Sequence, residues 1–91
     1  MARLEEFTYT KANGDTSRRA VIVTSTPSNK VAGYDTTELD NDSFSDFLIE
    51  FNALLDRQKQ EFAELIAKHD LKHNYRQFIP DNMSDITVSI V

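Results

Sequence analysis

"SFSDFLIEFNALLDRQKQEFAELIAKH", residues 43–69, is the stretch on which the architecture turns. Phe44, Leu48, Phe51, Leu55, Gln58, Phe62, Leu65 and His69 recur at alternating steps of four and three, and Phe47, Leu54 and Ile66 widen the stripe. Glu50, Asp56, Lys59, Glu61, Glu64 and Lys68 fall on the opposite face, and neither Gly nor Pro occurs from 43 to 72. The spacing predicts one long amphipathic helix over 43–70. Ser43 is its expected cap, with Asp40, Asp42 and Asp46 near the positive end of the dipole. Such a helix runs ~40 Å, whereas a domain of this length is about 30 Å across. Either the helix breaks near "DRQKQ" (56–60) or its distal half packs on a second copy. The second option is favoured. Phe44, Leu48, Phe51, Leu55, Gln58, Phe62 and Leu65 then form the seam of a homo-oligomer, with polar Gln58 setting its register.

N-terminal to the helix the period changes from 3.6 to 2. In "FTYTKANGDTSRRAVIVT" (7–24), two β-prone runs flank Asn13-Gly14, the signature of a two-residue type I′ hairpin turn. That turn sets Ala12 against Asp15, Tyr9 against Arg18 and Phe7 against Ala20. "TPSNK" (26–30) reads as a turn, and "KVAGYD" (30–35) as a third strand whose Gly33 marks a bulge or a close backbone approach. C-terminal to the helix, "HNYRQFI" (73–79) and "ITVSIV" (86–91) read as strands separated by "PDNMSD". The order is β-β-β-α-β-β, an α+β domain spanning 1–91: hairpin and third strand in 1–39, helix in 43–70, closing strands in 74–91.

Composition narrows the function. The net charge is −5, yet residues 1–39 balance to zero, so the deficit sits in the helical region. An acidic chain lacks the basic face that duplex DNA demands. With no cysteine there is no disulfide, thiolate metal site or thiol nucleophile. No apolar run reaches the ~18 residues of a membrane span, and "MARLEEF" lacks the apolar core of a signal peptide, so the expected location is cytoplasmic.

Motifs for catalysis are absent. The chain has two glycines, which rules out a glycine-rich phosphate loop, and no serine sits in a G-x-S-x-G elbow. The acids at 35–46 lack the spacing of a calcium loop. "HDLKH" places His69 and His73 at i and i+4, but without the glutamate or third ligand of a zinc site, and its histidines suit a helix C-terminus. Neither an enzyme, a metal nor a cofactor is expected.

Arginines and tyrosines are the remaining chemistry. Arg18, Arg19 and Arg76, with Tyr9, Tyr34 and Tyr75, are the residue types that grip nucleotides, forks for phosphates and flat rings for bases. Successive Arg18 and Arg19 project to opposite faces of a strand, so one of them at most joins a given site. As solvated charges they would instead guard a sheet edge or pair with the acidic helix.

The pattern Tyr9-x-Lys11-x-x-Gly14-x-x-Ser17-x-Arg19 followed by Val21–Val23 resembles the opening hairpin of WYL domains. "VAGYD" (31–35) and "YRQFIPDNMSDI" (75–86) are similar to later segments of that family, with Arg76 and Phe78 in an R-x-F run. The family's Trp-Tyr-Leu signature is absent, and the long helix lies outside its minimal barrel. The resemblance implies a strongly curved antiparallel sheet or an SH3/Sm-like barrel, with a role in binding nucleic acid or nucleotide-like ligands, and it adds Lys11 to the candidate set. The short, acidic, cysteine-free chain also resembles small bacteriophage accessory proteins in style, some of which bind a host protein or sequester a nucleotide immune signal.

Two expectations follow. The first is a non-enzymatic homo-oligomer that senses or sequesters a phosphate-bearing, nucleotide-type ligand through Arg18, Arg19, Arg76, Tyr9, Tyr34, Tyr75 and Lys11, as an anti-defence protein would. The second is a protein-interaction module, or host-protein inhibitor, whose acidic amphipathic helix engages a partner or imitates nucleic acid in a basic groove.

Overall fold

The structure, a computed structural model, describes residues 3–54 and 59–90. Five strands form one antiparallel sheet: β1 (Arg3–Thr10), β2 (Thr16–Ser25), β3 (Val31–Asp35), β4 (Tyr75–Phe78) and β5 (Met83–Ile90), in the spatial order β4-β3-β2-β1-β5. Helices α1 (Asn41–Asn52) and α2 (Lys59–Lys68) lie between β3 and β4 in sequence.

The hairpin turn is longer than the Asn-Gly pair suggests. The Gly14 N–H donates to the Lys11 carbonyl and the Lys11 N–H to that of Asp15, which leaves a three-residue loop with Gly14 at φ 90°. The Asn13 side chain accepts from the Asp15 N–H, stabilising this form. Register therefore moves by one: Tyr9 faces Ser17, Thr8 faces Arg18 and Phe7 faces Arg19. Gly33 marks the close approach expected of it, because a Cβ there would lie 2.0 Å from the Ile22 carbonyl oxygen.

The long helix is two helices. Asp40, not Ser43, caps α1 by accepting from the Ser43 N–H at 2.8 Å. The helix is over by Ala53, and α2 returns alongside it: Phe51 meets Phe62, His69 meets Phe47, and Lys68 pairs with Glu50. Folding back lets one chain cover its own stripe, because the sheet is too short for a ~40 Å rod. α2 ends in a Schellman turn. The Leu71 N–H reaches the Ile66 carbonyl, Asp70 takes φ 57°, and Leu71 tucks into the core. "HDLKH" thus straddles a chain reversal rather than a helix face, with His73 in the 3-10 turn Lys72–Asn74.

Two cores flank the sheet. Leu4 and Ile22 meet Phe47, Phe51, Leu65, Ile66 and Leu71 on the helix-covered face. Phe7, Val21, Val23, Val31 and Phe78 fill the other face, to which neither α1 nor α2 contributes a residue among those described. Curvature closes it. Three strand spacings put β4 and β1 ~14 Å apart in a flat sheet, yet Phe78 lies 5.2 Å from Phe7 and 5.1 Å from Tyr9 between ring centroids. The run Val21-Ile22-Val23 is buried throughout because its side chains alternate between these two cores. The expected α+β class with an antiparallel sheet is present, but the sheet does not close into a barrel: β4 and β5 remain its two edges.

Candidate functional site

Strand register sorts the arginines and tyrosines onto opposite faces. Arg19, Tyr9 and Arg76 lie on the concave face; Arg18, Tyr34 and Tyr75 lie on the helix-covered face. Arg19 reaches Asp35 with its guanidinium at 2.8 Å and Ser17 with its Nε at 3.1 Å. The Asp35 carboxylate is 5% exposed and also accepts from the Thr37 N–H and hydroxyl. This is a structural pair, the carboxylate buried and the guanidinium partly exposed. Arg18 crosses β1 to donate to the Asp85 carbonyl at 3.0 Å and to the Thr8 hydroxyl at 3.3 Å, bracing the bulge where Asp85 takes φ 51°.

Tyr9 packs on Phe7 and Phe78, and its hydroxyl accepts from the Ile79 N–H at 3.4 Å. Tyr34 lies between Tyr75 and Phe62, joining the sheet to α2. Arg76 is exposed opposite Gly33, with no hydrogen bond or ion pair among the described residues, and Lys11 is exposed at the start of the hairpin loop. The seven residues do not converge on one cradle.

Of the expected seam, Phe51 and Leu65 are buried in the chain's own core, and Phe44, Leu48 and Phe62 pack against it. Leu55 and Gln58 lie outside the described residues. Among the described residues the stripe packs, wholly or in part, against the chain's own core.

Surface depressions are also present among the described residues. An open groove of about 700 Å³ runs between the β2–β3 and β4–β5 turns, lined by Thr26, Ser28, Asn29, Lys30, Val31, Ile79, Pro80 and Asp81. It holds one cation beside one anion, a poor phosphate cradle. Another is a notch of about 220 Å³ on the helix layer, where Glu50, Glu61, Glu64 and Lys68 surround Leu54 and Leu65. Lys68 hydrogen-bonds Glu50, and that bond is the main reason the Glu50 carboxyl is held below its ordinary value; His69, with Nε2 3.5 Å from its other oxygen, adds to it. The bond from the Ser43 N–H similarly lowers Asp40. Glu61 and Glu64 make no ion pair among the described residues. Ile49, 70% exposed, stands one residue before Glu50 on α1, three after Asp46.

Sequence reasoning placed Glu61 and Glu64 on the outer face of one rod. The notch went unseen because it needs α2 folded beside the end of α1. No helix among the described residues is long and apolar enough to cross a membrane. No family model matches the chain, and comparison with curated proteins and with solved structures returns no match.

Proposed function

We propose that the chain is a non-enzymatic interaction module whose helix layer holds a basic segment of another protein. The observation that carries this reading is the notch itself: three glutamates ring an apolar floor, and the one lysine among them is already bonded to Glu50. A lysine or arginine side chain suits such a place, its aliphatic stem on Leu54 and Leu65 and its charge toward Glu61 and Glu64. Ile49, exposed on α1 one residue before Glu50, offers a further apolar contact, and the net charge of −5 favours encounter with a cationic surface.

The nucleotide-type ligand draws less support. It needs convergent guanidinium groups, and here Arg19 is engaged by Asp35, Arg18 by Asp85, and Arg76 stands alone on the far strand. Affinity capture from cell lysate with wild type and with the Glu61→Lys/Glu64→Lys double variant tests the proposal. Basic proteins retained by wild type, released by added salt and lost from a variant with unchanged circular dichroism support it. Equal retention by both proteins overturns it.

A further inference from the structure

The two edges of the sheet are treated differently. β4 has four residues, carries Arg76 and is followed at once by Ile79-Pro80, devices that discourage pairing by another strand. β5 has eight residues, and beyond its bulge at Asp85 the run 86–90 contains no charge, proline or glycine. Among the described residues β5 pairs with β1 alone. Val88 faces the concave side with its cross-strand partner Glu5, and Ile86 shares that side; they are 47% and 50% exposed.

We propose that β5 pairs antiparallel with β5 of a second copy, joining two sheets across a two-fold axis. Charge selects this occupant. Two molecules of net charge −5 repel least when they meet through uncharged residues, and residues 86–90 are such a stretch. A basic or acidic foreign strand would find nothing there to pair with. Pattern selects it too. With Thr87 on the axis, Ile86 of each copy faces Val88 of the other, and Asp85 faces Ser89 rather than a second carboxylate, so like meets like on each face. No β5 residue belongs to the helix-side core or lines the acidic notch, so the pairing leaves the notch open.

A stable dimer buries about 800 Å² on each partner. A strand pair of this length offers less, so the association is reversible, with a dissociation constant in roughly the micromolar range. Sedimentation velocity over a concentration series tests it, with amide exchange of 86–89 measured alongside. Wild type is expected to shift from monomer to dimer as concentration rises, with slower exchange of those amides. Val88→Lys and Ile86→Lys, each at a half-exposed site and checked for folding by circular dichroism, are expected to stay monomeric, while Ile49→Lys on α1 associates as wild type does. A wild type that remains monomeric to about millimolar concentration overturns the proposal. So does dimerisation that survives both β5 substitutions, or that Ile49→Lys abolishes.

Discussion

Gly33 and Arg19 show how single residues hold the sheet. At Gly33 the obstacle to any side chain is backbone, the Ile22 carbonyl oxygen 2.0 Å from an added Cβ, so no rotamer relieves it. Gly33→Ala is expected to cost about 3 kcal/mol or more by forcing β2 and β3 apart, visible as a large fall in Tm or a failure to fold. Wild-type melting would contradict this. Arg19→Ala leaves the buried Asp35 carboxylate without its cation but with its bonds from Thr37, which costs about 1–3 kcal/mol. The double variant Arg19→Ala/Asp35→Ala should recover part of that loss, because no orphaned charge remains. Denaturant unfolding of the three proteins checks both statements. The sequence showed that Gly33 was special and that Arg18 and Arg19 diverge. It could not show Asp35 as partner, since that contact depends on the β2–β3 register, Val21 opposite Asp35.

At the scale of elements, α1 rests on its cap and on the fold-back of α2. Asp40 and Glu50 both have folded-state carboxyls lowered by hydrogen bonds to the ionised form. Their contribution to stability is therefore present above the ordinary carboxylate values and is lost as pH falls through the lowered ones. Melting between about pH 7 and about pH 3 should show a smaller acid-induced decline for Asp40→Asn and Glu50→Gln than for wild type. An unchanged decline would mean these bonds do not persist in solution. Phe47, fully buried between α1's neighbours and the sheet, is expected to cost about 3–5 kcal/mol when replaced by Ala.

The strands were legible in sequence because β-branched runs and turn residues alternate cleanly. The helix break was raised, near 56–60, only as the less favoured of two options. Residues 53–58 contain neither Gly nor Pro, and the stripe only thins near 56–60, too weak a local signal to separate one rod from a hairpin. What decides it is global: the sheet offers room for two short helices side by side. The same fold-back makes the notch, so the candidate site was as hidden as the break.

For the molecule as a whole, a curled sheet uses both faces without a second helical layer. One face takes the helix hairpin, and the other is closed by Phe78 reaching Phe7 and Tyr9 across the curl. That economy leaves the acidic helix surface as the main charged feature open to a partner, while the arginines are divided between faces. The charge reversal Glu61→Lys/Glu64→Lys changes the net charge by four at exposed positions, so it should abolish partner capture while shifting Tm little. NMR chemical-shift mapping on isotope-labelled protein tests the central claim most directly, with the captured partner and a nucleotide panel as separate titrants. Partner-induced shifts are expected at Ile49, Glu50, Glu61, Glu64 and Lys68, with nucleotides leaving the spectrum unchanged. Nucleotide-induced shifts centred on Arg18, Arg76 and Tyr75, with the helix signals unmoved by the partner, would contradict it.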